Sequence, residues 1–143
     1  MSKQLKGGCL CGAVRFTAIP SKMEMGVCHC SMCRRWSGGA FMEVDCKSVE
    51  VEDEAELGTF ESSDWGMRQF CKKCGTTLFW KMRDGSHAGV AVGAFDDPGV
   101  FEFTSEIFID EKPDNFAFSN PTKKLTGAQV MELFASQQGP QDG

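Results

Sequence analysis

The 143-residue chain has no apolar run that approaches the length of a membrane span, and its first residues, Met1-Ser2-Lys3-Gln4-Leu5-Lys6-Gly7-Gly8, contain no apolar segment of the secretory kind. The first absence excludes a helical membrane protein, and the second leads to the expectation of a cytoplasmic one. In a reducing cytosol cysteines are not held as disulfides, which disfavours a secreted disulfide scaffold despite the even count of eight. Positive charge is also short. Fifteen Lys and Arg against twenty Asp and Glu leave a formal net charge of −5, the wrong sign for a surface that neutralises phosphate backbones, so neither nucleic acid nor membrane is expected as a partner. With no internal repeat and no linker, a single domain is expected over residues 1–136, followed by a disordered tail at 137–143.

Cysteine, by contrast, is present in tight clusters. Seven of the eight fall in Cys9-Leu10-Cys11, Cys28-His29-Cys30-Ser31-Met32-Cys33 and Cys71-Lys72-Lys73-Cys74; Cys46 stands alone. Neighbouring cysteines cannot easily bridge each other, but their thiolates can converge on one soft metal ion, for which zinc is the default. Two pairs supply four ligands and close a zinc site. A trio leaves a position for water or a substrate thiol.

The dominant hydrophobic period is two. Val14, Phe16 and Ala18 alternate with Arg15 and Thr17, and Val49 and Val51 alternate with Glu50 and Glu52. The apolar run Ile107-Phe108-Ile109 and the segments 40–44, 57–61, 76–81, 88–94 and 100–103 are further expected strands, separated by turn signals such as Arg83-Asp84-Gly85 and Asp96-Asp97-Pro98-Gly99. These features indicate a mainly β fold. One helix is expected over 127–136, because Thr126 and Gln129 have the capping-box spacing and Leu125 with Val130 fits a hydrophobic staple. Its apolar side would carry Val130, Leu133 and Phe134 and cover a sheet, with Met131 a packing residue.

In an extended segment alternate side chains share a face, so Cys9 with Cys11, and Cys28 with Cys30, are placed to chelate. Cys71-Lys72-Lys73-Cys74-Gly75 has the form of a zinc knuckle, and Cys9-Leu10-Cys11-Gly12 has a glycine similarly placed. The two pairs together would cross-link a small β domain through one ion. The trio Cys28, Cys30 and Cys33 has no obvious fourth ligand. His29 would point away from Cys28 and Cys30 and reads as a residue behind the ligands or on the surface, while Cys46 reads as a strand thiol without a metal role. Arg34 and Arg35, like Lys72 and Lys73, are placed first to offset thiolate charge. The arginines could alternatively pair with substrate carboxylates. The segment Arg34-Arg35-Trp36-Ser37-Gly38-Gly39-Ala40-Phe41 reads either as a mobile rim or as a short helical turn entering a strand, with Trp36 as packing.

Four segments carry a family resemblance: Gly8-Cys9-Leu10-Cys11-Gly12, Cys28-His29-Cys30-Ser31-Met32-Cys33-Arg34-Arg35, Phe70-Cys71-Lys72-Lys73-Cys74-Gly75-Thr76-Thr77-Leu78-Phe79-Trp80 and Gly93-Ala94-Phe95-Asp96-Asp97-Pro98. In order and spacing these resemble the glutathione-dependent formaldehyde-activating family, with which centromere protein V is grouped, over roughly residues 7–118. The resemblance implies an Mss4-like, β-rich zinc-binding fold with a short C-terminal helix. It implies structural zinc on Cys9, Cys11, Cys71 and Cys74, and a second zinc, possessed of the catalytic role, on Cys28, Cys30 and Cys33. The implied activity is that of a carbon–sulfur lyase resembling S-(hydroxymethyl)glutathione synthase, acting on glutathione and formaldehyde or a related small thiol adduct; in that setting Arg34 and Arg35, read from their position beside the trio, would be the substrate anchors. A non-catalytic, zinc-stabilised binding module is the alternative.

Overall fold

The structure, a computed structural model, describes residues 3–138. It is mainly β. In chain order the elements are β1 (Leu5–Gly8), β2 (Arg15–Pro20), β3 (Glu24–Cys28), α1 (Ser31–Ser37), β4 (Phe41–Val51), β5 (Leu57–Phe60), β6 (Gly66–Cys71), β7 (Thr77–Met82), β8 (Ala88–Ala91), β9 (Glu102–Ile107), β10 (Lys123–Leu125) and α2 (Gly127–Gln138). No helix among the described residues is long and apolar enough to cross a membrane.

The chain forms two compact units. The first comprises the chain up to Met25 together with Met42–Glu102; the second comprises Gly26–Phe41 and the chain from Phe103 onward. In the first unit, antiparallel pairing runs from β1 to β2, β4, β8, β7, β6 and β5. The alternation that marks β2 in the sequence is real: Phe16, Ala18 and Pro20 are buried while Arg15, Thr17 and Ile19 are half-buried. Phe16 meets Phe79 and Phe95 edge-on, with ring centroids 5.1 and 5.6 Å apart, and Val14, Val44, Leu78 and Val90 complete the core. In the second unit, β9 pairs in parallel with β10, Ser105 opposite Lys123 and Ile107 opposite Leu125, and has β3 on its other side.

Several expected elements change shape. Segment 40–44, from Phe41 onward, and segment 49–51 are parts of one strand, β4, which takes β8 as partner at Val44 and β2 at Val49 and Val51. The run Ile107-Phe108-Ile109 is not a strand throughout: Phe108 has φ 55°, which ends β9 and leads into a 3-10 turn at Ile109–Glu111. Strand β6 was hidden because its buried residues include the adjacent polar pair Arg68 and Gln69, 5% and 8% exposed, which erases the apolar alternation.

Helix α2 begins as its capping box requires. Gln129 N donates to Thr126 Oγ1 at 3.2 Å and Thr126 N donates to Gln129 Oε1 at 2.8 Å. The helix continues to Gln138; residues 139–143 of the expected tail lie outside the described residues. Val130 is buried and Phe134 half-buried, but Leu133 and Met131 are exposed, so the packed face is narrower than the sequence suggests.

Candidate metal centres

The first unit brings Cys9, Cys11, Cys71 and Cys74 together, with all four sulfurs within 4.8 Å of one another. Each pair sits on a turn. In one, Cys9 N donates to Val14 O and Gly12 N to Cys9 O; in the other, Cys71 N donates to Thr76 O and Gly75 N to Cys71 O. Gly12 and Gly75 have φ of 85° and 82°, a conformation that glycine adopts without penalty. Cys9 and Cys11 are thus presented by a knuckle rather than by the extended segment expected from sequence, and the two halves of the centre are built alike.

The turns aim backbone N–H groups at the sulfurs. Val14 N donates to Cys9 Sγ at 3.2 Å, while Lys73 N and Cys74 N donate to Cys71 Sγ at 3.3 and 3.4 Å. The Thr76 hydroxyl, 3.1 Å from Cys74 Sγ, is the leading cause that holds the Cys74 thiol down at about 5. At exposed Cys11 the Ala13 N–H works to lower the pKa, but desolvation and the three other sulfurs push it up to about 11. Four thiols so close cannot all ionise without a cation among them. Sulfur separations of 3.6 Å for Cys9–Cys11 and 3.8 Å for Cys11–Cys71 are far from a disulfide bond. They fit the roughly 3.8 Å edge of a tetrahedron with metal–sulfur arms of about 2.3 Å. The donor set therefore fits a closed tetrahedral metal site.

The second unit brings together Cys28, Cys30 and Cys33, again within 4.8 Å, and no fourth His, Cys, Asp or Glu joins them among the described residues. Cys28 ends β3. Cys30, extended at φ −63° and ψ 154°, is the N-cap of α1, and its sulfur accepts from Cys33 N at 3.4 Å. The Cys28 and Cys33 thiols hydrogen-bond to Cys30 and hold it at about 2, while the same contacts with Cys30 and Cys33 drive Cys28 upward. Three thiols this close oppose one another's ionisation, and a bound cation is what would let all three ionise.

His29 is wholly buried, and its ring does not join the trio. It instead meets Glu106, with Nε2 2.8 Å from Oε1. Glu106, 1% exposed, also accepts from Thr122 Oγ1 at 2.5 Å and lies 3.7 Å from Lys124 Nζ. Burial works to raise the Glu106 pKa, but the bonds from Thr122 and His29 outweigh it and hold the carboxyl below its usual range. The rings of Phe116 and Phe118 lie 6.0 and 6.1 Å from the His29 ring. Arg34 donates through Nε to His29 O at 2.9 Å, which gives it a structural partner; Arg35 is exposed. Residues 31–37 form the short helix that was one reading of this segment, and Trp36 packs on Phe41 at 5.2 Å. Cys46 lies in the core, 1% exposed, and desolvation pushes its thiol up to about 12. The sequence did not reveal Thr76, Glu106 or Thr122. Thr76 follows the knuckle closely enough to be suspected, whereas Glu106 stands 77 residues from its partner His29 and has no local signal.

Fold and sites together define a mainly β protein with one four-sulfur and one three-sulfur centre. The family model described as glutathione-dependent formaldehyde-activating enzyme matches residues 4–111, and the chain belongs to this family. Among curated proteins it is 33% identical over 132 residues to an uncharacterized lyase of Schizosaccharomyces pombe, covering 90% of this chain and 96% of that protein. It is 29% identical over 85 residues to a Halomonas elongata protein provisionally named for glutathione-dependent formaldehyde activation, covering 52% and 54%. A crystal structure of a Rhodobacter sphaeroides protein superposes with a TM-score of 0.57 at 24% identity, covering 70% of this chain and all of that one, a likeness of fold.

Proposed function

We propose that this protein is a zinc-dependent carbon–sulfur lyase acting on a small thiol adduct of the S-(hydroxymethyl)glutathione kind, with structural zinc at the four-sulfur centre and the chemistry at the trio. The observation that carries this reading is the trio itself: three convergent sulfurs with no fourth ligand among the described residues. Zinc bound there supplies a Lewis acid with an open position that favours a thiolate at neutral pH. Cys28, Cys30 and Cys33 are the holding residues, and β3 and α1 fix where their sulfurs point. Arg35 is exposed one turn along, and Arg34 keeps its two terminal guanidinium nitrogens beyond the Nε bond to His29 O; both suit the carboxylates of a glutathione-like thiol. In the synthetic direction a sulfur–carbon bond forms between the thiol sulfur and the carbonyl carbon. The C=O electron pair moves to oxygen, which takes up the proton that the thiol gave up. In the lyase direction the same bond breaks and releases the aldehyde.

Family membership and the lyase naming of the yeast relative support this reading. Exchange spectroscopy on glutathione with formaldehyde tests it. The zinc-loaded protein is expected to speed interconversion above the buffer rate, and Cys30→Ala to abolish the gain with an unchanged far-UV spectrum. A wild-type rate equal to buffer would overturn the proposed reaction.

A further inference from the structure

The two centres are held in different ways. Around the four sulfurs, glycine turns and N–H groups aimed at Cys9 and Cys71 fix the geometry from within the ligand loops. At the trio, Cys33 N donates to Cys30 Sγ at 3.4 Å. A further restraint comes from the residue between two of its members. Cys28 and Cys30 flank His29, so the spacing and aim of their sulfurs follow the backbone dihedrals at His29, and a small rotation there swings both.

His29 is held at three points. Its N–H donates to Ile107 O at 3.1 Å, its carbonyl accepts from Arg34 Nε at 2.9 Å, and its Nε2 meets Glu106 Oε1 at 2.8 Å. Ring atom Nδ1 is buried without a hydrogen-bond partner, so among the described residues Glu106 is the hydrogen-bond anchor of the ring. Glu106 is anchored in turn. Thr122 donates to Oε2 and Lys124 stands nearby, which ties β9 to the start of β10 and satisfies a carboxylate that would otherwise be costly to bury.

We propose that His29 and Glu106 are a positioning pair: they fix the sulfur geometry of the Cys28, Cys30 and Cys33 centre and set its metal affinity independently of the four-sulfur centre. The proposal rests on the reading that the trio holds a metal, and it requires no catalytic activity. Partners behind a metal's ligands commonly change affinity by about 10–100-fold when removed.

The test uses the full chain loaded with Zn²⁺ or Co²⁺, measuring metals per chain, the affinity of each site by chelator competition, and the visible Co²⁺ spectrum. Glu106→Ala is expected to weaken the trio about 10–100-fold and to alter its Co²⁺ bands, with the four-sulfur site within about twofold of wild type. Glu106→Gln keeps an acceptor for His29 and is expected to restore affinity to within about fivefold, the worth of one hydrogen bond. Equal affinity in Glu106→Ala and wild type, or parallel loss of both metals from a folded variant, overturns the proposal. If Glu106→Ala does not fold, Thr122→Val serves instead: it removes one anchor and is expected to weaken the trio alone by about threefold to tenfold, and no change overturns the proposal. A wild type that holds a single metal also overturns it. Failure of glutathione chemistry in a wild type with two metals bears on the enzyme reading alone.

Discussion

The four-sulfur and three-sulfur centres are built from the same atom type in different settings. At the first, two knuckles separated by 60 residues meet: Cys11 Sγ lies 3.8 Å from Cys71 Sγ, so a bound ion would join distant parts of the chain. A closed site of this kind contributes to folding. At the second, all three sulfurs come from six consecutive residues, so a bound ion adds little to chain connectivity, and the missing ligand leaves room for chemistry. On the proposed reading, ligand number and loop length, rather than ligand type, separate a structural site from a reactive one.

Metal removal is the largest expected perturbation of that contrast. Structural zinc contributes on the order of 10–16 kcal/mol in finger peptides, comparable with the roughly 5–15 kcal/mol stability of a whole domain. A high-affinity chelator is expected to strip the trio first with no change in circular dichroism, and then the four-sulfur centre with loss of the fold. An intact spectrum after both ions are verified gone would contradict the division of roles.

A smaller effect is expected from Thr76→Val, which removes the hydroxyl beside Cys74. The depressed Cys74 pKa means that thiolate stabilisation is present above the ordinary thiol value and is lost as pH falls through about 5. Without Thr76 that loss begins at higher pH. The midpoint of acid-induced metal release from the four-sulfur centre should rise by roughly one pH unit while the trio's midpoint stays put. A common shift at both centres would show that Thr76 acts through general stability.

The smallest effect is expected from Cys46→Ala, a thiol in neither centre. Denaturant unfolding should show a loss of about 1 kcal/mol from the core, and metal content should not change. A drop in metal content would place Cys46 in a centre that the structure keeps it out of.

Much of this was legible from local pattern. The alternation at Phe16 and Ala18, the capping box at Thr126 and Gln129, and the grouping of cysteines are short-range features, and each has its counterpart in the structure. Other features were not. Strand β6 buries Arg68 and Gln69; Phe108 takes a left-handed conformation inside an apolar run; and Cys9 with Cys11 sits on a turn rather than in a strand. Arg68 and Gln69 find partners outside their strand, in Ser62 and Thr59, whereas the Cys9–Cys11 turn is closed within its own loop by Val14 and Gly12.

Cysteine spacing was enough to assign the two sets of sulfurs, because it limits which thiols can share an ion. The mainly β character was likewise readable from the sequence, because side-chain alternation follows from strand geometry. What stands behind the trio, by contrast, depends on how distant strands pair. Glu106 reaches His29 across 77 residues because β9 and β3 are neighbours, and no spacing rule connects residues that meet only through strand pairing.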